Sequence, residues 1–413
     1  MKKIVLVRHG EVTPFDDISP RYLRTGQMFF HFTSKGLGCE WYTSTFNHFN
    51  KRQRSQSSFK EKINEHGDII YIKSPGYSKN ISLARLYDHL TWGIKVLFKV
   101  YQNRKDVDVI ITSIPIISAT FFLVHLANLL NIKIVVEVRD KWPDIFWMSS
   151  GGFKRKMIQF LSIPLKSMVK WSIENCSICT VPSLSFSDWL KGFVHEKAHD
   201  RIQLSFLGYN KEIYPTFDES DVIRQMKVDA NSRKIIVFVG TIGHMFDLET
   251  VVRAAEQLDS NGDYFFAMFG SGDTISFWRK KTQNLTNIKF YGWVDKHHID
   301  YLLKNAYIGL APYINNENFN GHVPNKIMEY TAYGLPILSA LKGYVEDYLN
   351  THHFGATYEN GDHVGFINAI NKISEYKKLD REISLKMEMF YEEFFKSDKI
   401  YDELLHDVSN TDE

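Results

Sequence analysis

The chain has 413 residues, 44% of them hydrophobic and 24% charged, with a net charge of +2. That length suits two domains with a core each, and the composition is ordinary for a soluble globular chain. A balance so close to neutral excludes a global affinity for polyanions, so no nucleic-acid partner is expected. Cys39, Cys176 and Cys179 set no disulfide framework. Cys176 and Cys179 form a lone CxxC without a second pair, which reads as buried thiols in a reducing compartment. Strand-like IVLV begins at Ile4, so no signal peptide is read. The longest apolar run, 114–132, is broken by Pro115, Ser118, Thr120, His125 and Asn128, and reads as a buried helix rather than a membrane span. A cytoplasmic location, with peripheral membrane contact, is expected.

Residues 4–7 read as a buried first strand, followed by Arg8, His9, Gly10 and Glu11. This LVRHGE stretch resembles, over about six residues, the opening of the histidine phosphatase superfamily. The resemblance implies a phosphoryl-accepting His9 held by Arg8. That fold also requires a second histidine late in the chain, and no partner segment is found. A glycine-containing loop after the first strand of an α/β sheet is the alternative. Arg21, Arg24 and Gly26 (RYLRTG) precede an apolar helical stretch, 27–35, and 41–45 reads as a second strand. The segment 47–62, NHFNKRQRSQSSFKEK, is polar and basic and reads as a mobile loop. It is either solvated or turned toward an anionic acceptor or membrane. A strand at 68–72, a helix at 82–101, a buried strand at 107–112 and a helix at 116–130 follow.

The next strand, 132–138, is rich in Ile and Val, as parallel strands are. It runs into Arg139, Asp140, Lys141, Trp142 and Pro143. Charged residues at the C-terminal edge of such a strand lie where α/β sheets place their sites, so Arg139 and Asp140 are candidates. The competing reading is an ion pair capping the following helix. Residues 151–171 mix Lys154, Arg155, Lys156, Lys166 and Lys170 with large apolar side chains and are divided by Pro164. They read either as a helical hairpin at a bilayer interface or as an amphipathic core helix with snorkelling lysines. The strand 177–181 is read as the last of the first half, 183–192 as a helix, 202–208 as the interdomain crossing, and 215–233 as a polar connecting helix.

The second half opens with a strand at 235–239, a turn of Gly240, Thr241, Ile242 and Gly243, then His244 and a helix at 247–258. The turn is too short for a dinucleotide fingerprint but suits a diphosphate met by backbone N–H groups. A strand at 264–269 leads to Gly270 and Gly272, a strand at 288–291 to Gly292 and Trp293, and a helix covers 299–305. A short strand at 307–312 and a polar loop precede PNKIMEYTAYGLP. Pro324 and Asn325 start a helix that Gly334 stops and Pro336 forbids to resume. Lys326 lies in its first turn and Glu329 one turn on: a cation for phosphate and a carboxylate for sugar hydroxyls. Residues 382–405 read as long helical structure.

The Pro324–Pro336 stretch resembles the donor-site signature of retaining GT-B glycosyltransferases of family 4. Arg139-Asp140 followed by Trp142-Pro143 resembles an element of a bacterial surface-polysaccharide (O-antigen or capsule) subgroup. The resemblance implies two doubly wound Rossmann-like α/β domains facing a central cleft. These would be 1–207, on the acceptor side, with helix 385–413 packing back on it, and 208–384, binding the donor. It implies a nucleotide-sugar donor, a UDP-sugar favoured, a lipid-linked or oligosaccharide acceptor, retention at the transferred sugar, and no metal or other cofactor. Lys326, Glu329, Arg139 and Asp140 would be catalytic. Gly240, Thr241, Gly243, His244, Gly270, Gly272, Gly292, Trp293, Pro324 and Asn325 would complete the donor site, and His9, Gly10, Glu11, Arg21, Arg24 and Gly26 the acceptor side. Membrane contact would run through 151–171 and 47–62. Where the family pattern has its first Glu, this chain has Gly321, and His244 stands where a stronger base is usual. A sugar-nucleotide epimerase of the same fold, a histidine phosphatase and an inactive scaffold are the alternatives.

Overall fold

The computed structural model describes residues 3–16, 22–80, 82–148, 150–211, 220–315 and 322–410. Arg21 and Gly321 lie outside the described residues. The chain divides into two compact units, Met1–Leu207 with Ser397–Glu413, and Gly208–Lys396.

The first unit runs β1 (Lys3–Val7), α1 (Arg24–Ser34), β2 (Gly38–Ser44), β3 (Phe46–Asn47), β4 (Arg52–Gln53), β5 (Phe59–Lys62), β6 (Gly67–Ile72), α2 (Leu83–Gln102), β7 (Val109–Ile114) and α3 (Ile117–Leu130). It continues through β8 (Lys133–Val138), α4 (Ile145–Met148), α5 (Gly152–Leu161), α6 (Ile163–Glu174), β9 (Ile178–Val181), α7 (Leu184–Lys191) and β10 (Ile202–Leu204). Its sheet is ordered β10-β9-β8-β7-β1-β2-β6-β5, parallel except for β5. The central strands are apolar almost without interruption because helices cover both faces, and Val5, Ile110, Val136, Leu123 and Trp92 meet in one core.

Two expectations for this unit change. The segment 47–62 is not a loop: β3 pairs with β4, and β5 pairs antiparallel with β6. Two of its five basic side chains meet acids outside the segment, Arg54 on Asp16 at 2.6 Å and Lys60 on Asp68 at 2.7 Å, so the local charge run overstates the charge of the folded surface. The sheet also does not end at 177–181, because Ile202–Leu204, read as a crossing, adds β10 beside β9.

The second unit comprises α8 (Asp221–Ala230), β11 (Lys234–Val239), α9 (Leu248–Leu258), β12 (Tyr264–Phe269), α10 (Ile275–Lys281), β13 (Ile288–Gly292), α11 (Lys296–Asn305) and β14 (Ile308–Ala311). It closes with α12 (Asn325–Ala332), β15 (Ile337–Ser339), α13 (Tyr344–His352), β16 (Gly355–Thr357), α14 (His363–Leu379) and α15 (Ile383–Phe390). The sheet is fully parallel, ordered β13-β12-β11-β14-β15-β16. Residues 385–396 lie in this unit, and the return to the first begins at Ser397 with α16 (Ser397–Ser409). There Tyr401 donates to Gln27 of α1 at 2.9 Å, and His31 meets Asp402 at 2.8 Å.

Candidate active site

In each sheet the chain starts in the middle, winds outward one way, then returns to the other side of its first strand. The switch points are β1/β7 and β11/β14. At such a point the loops after the strands diverge and leave a crevice at their C-terminal ends.

At the second switch point three loops interlock. The Gly270 amide donates to the Gly292 carbonyl at 2.6 Å, Gly240 to Phe269 at 2.9 Å and Ile242 to Ser271 at 2.9 Å. A Cβ on Gly270, at φ +138°, would overlap the Gly240 carbonyl, so only glycine lets these turns touch. From the far side of the switch point, α12 brings Lys326. Its ammonium donates to the Val239 carbonyl, the last residue of β11, and lies 4.7 Å from the Phe238 ring centroid. It is so close to Gly240 that a side chain there would collide with it. Pro324, extended at φ −63° and ψ 153°, ends the strand-to-helix loop and leaves the first amides of α12 without a side-chain cap.

Glu329, one turn after Lys326, is 9% exposed. Among the described residues its carboxylate has no hydrogen-bond or ion-pair partner. It lies close enough to Tyr313 and Tyr330 to help hold both phenols above their usual range, after burial, which contributes most. Thr241, His244 and Trp293 are at the surface; His244 is 3.8 Å from Asp273, and Trp293 is 73% exposed.

At the first switch point a cavity of about 170 Å³ is lined by Arg8, His9, Gly10 and Glu11 after β1, Pro115 and Ile116 after β7, and Asp140 after β8. Leu23 and Phe49 also line it, as do His48, Tyr77, Arg85 and His89. The last four were not singled out in the sequence. Arg85 and His89 are four residues apart on α2 with Asp88 between them, a readable signal once that helix is known to point into a site. Asp88, fully buried, takes His9 Nε2 at 2.8 Å and the Gly76 amide at 2.6 Å. Burial holds His9 and His89 below the usual histidine range, and holds His48 at about 4 with help from Lys51 and Arg85. Asp140 is raised by burial against the pull of Arg8, Arg85 and Arg139.

Arg139 and Arg24 are engaged otherwise. Arg139 binds Glu11 and Glu137, both at 2.6 Å, and Thr25 at 3.0 Å. Arg24 binds Glu137 at 2.6 Å and the Phe206 carbonyl at 2.6 Å. The ion pairing of Arg139 is therefore with two glutamates in the sheet and its first loop, not with the neighbouring Asp140. Gly26 lies in α1 against Tyr22.

His9, Asp88 and His89 are, among the described residues, the group of three whose donor atoms lie within 4.8 Å of one another. Arg85 Nε stands 3.5 Å from His89 Nε2, so a metal cation there would face a guanidinium.

Residues 219–387 match the family model of glycosyl transferases group 1. Among curated protein sequences none matches the chain. The fold is shared with sucrose-phosphate synthase of Thermosynechococcus elongatus, at TM-score 0.68 and 15% identity over 98% of both chains. It is shared with Anabaena HepE in complex with UDP, at TM-score 0.63 and 11% identity over 99% of this chain and 100% of that one. It is also shared with the catalytic domain of starch synthase IV from Arabidopsis thaliana bound to ADP and acarbose, at TM-score 0.64 and 11% identity over 99% of both. Residues 219–387 are thus similar to glycosyl transferases group 1, and the chain as a whole has the GT-B fold of two Rossmann-like sheets.

Proposed function

We propose that the chain is a retaining glycosyltransferase that moves a sugar from a nucleotide-sugar donor, a UDP-sugar by preference, to a lipid-linked saccharide in surface-polysaccharide (O-antigen or capsule) assembly. The observation that carries the reading is the pairing on α12 of Lys326, beside the glycine turns, with Glu329 one turn on, whose carboxylate has no hydrogen-bond or ion-pair partner among the described residues. The amides of Gly240, Ile242 and Gly270 are bonded within the turns, so a diphosphate would meet the Thr241 and Gly243 amides and the Lys326 ammonium. Glu329 accepts hydrogen bonds from the ribose hydroxyls. As the bond from sugar to phosphate breaks, negative charge grows on the diphosphate, where fixed donors stabilise it more than they do the ground state. The acceptor hydroxyl attacks from the diphosphate side, and a phosphate oxygen takes its proton. Lys326 and the amides meet the charge, so the reading calls for no metal.

In the first unit, His9, Gly10, Glu11 and Asp140 would face the acceptor from their cavity, while Arg24 and Arg139 position the first loop. Peripheral membrane contact through 151–171 belongs to the same reading. The test is calorimetric titration of the full chain with UDP, GDP, ADP, CMP and dTDP. Selective binding of one of them, weakened at least about tenfold by Lys326→Ala and by Glu329→Ala, supports the donor assignment. Binding of none, or binding unchanged in both variants, overturns it. The anomeric configuration of the product then decides retention.

A further inference from the structure

Helix α2 carries six exposed apolar side chains, Leu83, Tyr87, Leu90, Ile94, Phe98 and Tyr101. At 3.6 residues per turn they fall within an arc of roughly 80° and form a stripe about 27 Å long. Leu83 is 83% exposed and Phe98 61%. The opposite side of the helix is ordinary core, with Trp92, Val96 and Val100 buried. The amphipathic pattern is thus doubled: one apolar face for the sheet, and a second facing out.

Helix α5, which packs on α4 and α6, buries none of its ten residues, and Phe153 is 82% and Phe160 72% exposed. α2 packs on α3, α3 on α6, and α6 on α5. A ten-residue helix with no buried face is marginal in water, so α5 needs a covering surface. Stripes of this size on a protein surface mark an interaction site.

The charge on these faces chooses the occupant. Within α2 the one acid is Asp88, fully buried, while Lys95 and Lys99 are exposed. Between 152 and 161 there is no acid, and Lys154, Arg155 and Lys156 are exposed. A second copy of the chain would bring the same cations against these. An anionic surface complements them, and aromatic side chains beside lysines suit the boundary between lipid headgroups and acyl chains.

We propose that the outer faces of α2 and α5 dock the protein on an anionic lipid bilayer, with α2 supplying most of the apolar contact. No described helix is long and apolar enough to cross a membrane, so the contact is interfacial. The proposal rests on the membrane contact of the transferase reading, which already includes α5, and extends it to the outer face of α2.

The test is cosedimentation of the full chain with vesicles of phosphatidylcholine alone or mixed with phosphatidylglycerol. The expected result is binding to the mixed vesicles, weakened by salt. It should fall at least about tenfold in Ile94→Glu/Phe98→Glu, and fall again in Phe153→Ser/Phe160→Ser. All four positions are exposed, so circular dichroism should stay unchanged. No binding of the wild type to mixed vesicles overturns the proposal. So does a dimer, seen by light scattering, that Ile94→Glu/Phe98→Glu dissociates. Nucleotide titration of the same variants separates the two claims, because donor binding should be untouched by either.

Discussion

Replacing Glu137 with glutamine removes the charge on which Arg24 and Arg139 converge. Each guanidinium lies 2.6 Å from a different oxygen of this carboxylate, whose side chain is 4% exposed. Burial alone would raise its pKa, but the two arginines override that and hold it at about 2, from an ordinary 4.5. A depression of that size corresponds to on the order of 3 kcal/mol at neutral pH. The folded value is the depressed one, so this stability is complete above about pH 5.5 and drains away as pH falls toward 2. By pH 3 less than half of it should remain. Glutamine mimics the protonated acid in shape. Urea unfolding of the wild type and Glu137→Gln, followed by circular dichroism, should therefore show a gap of about 3 kcal/mol at pH 7 that narrows by more than half at pH 3. A gap below about 1 kcal/mol at pH 7, or one that does not change with pH, would refute the account of Arg139 as an anchor for the first loop.

Gly270→Ala should abolish soluble expression or cost more than about 3 kcal/mol, read as a fall in melting temperature, because its methyl has only the Gly240 carbonyl to displace. Asp88→Ala should cost about 2–3 kcal/mol in urea unfolding, since it leaves the Gly76 amide unpaired and His9 with only the Ser74 hydroxyl at 3.4 Å. Phe98→Ala, by contrast, should leave the unfolding midpoint within about 0.5 kcal/mol of wild type, because that ring packs on nothing the fold needs.

Where apolar periodicity was continuous, the elements were readable from sequence: β12 spans 264–269 as expected, and α12 starts at Asn325 as its proline and first-turn pattern imply. Lys326 and Glu329 were legible because one helical turn sets their relation. The first unit's cavity was legible only in part. His9 and Asp140 leave strands at a sheet edge, which sequence order reveals. Arg85, Asp88 and His89 reach the same cavity from a helix whose direction depends on how α2 crosses the sheet. The roles of Arg24 and Arg139 were hidden for a similar reason, since their shared partner Glu137 is paired through folding alone. The segment 47–62 misled because its compensating acids, Asp16 and Asp68, lie outside it.

The return of the chain at Ser397 also sets a timetable for synthesis. Tyr401, Leu404 and Val408 are buried in the first unit, yet they are made only after the whole of the second. At ribosomal rates of about 5–20 residues per second, the 189 residues from Gly208 to Lys396 take roughly 10–40 s. For that interval α1 waits with Phe32 and His31 uncovered, a nascent half whose last piece has not left the ribosome. A chaperone that shields apolar helix faces would be most useful in that window.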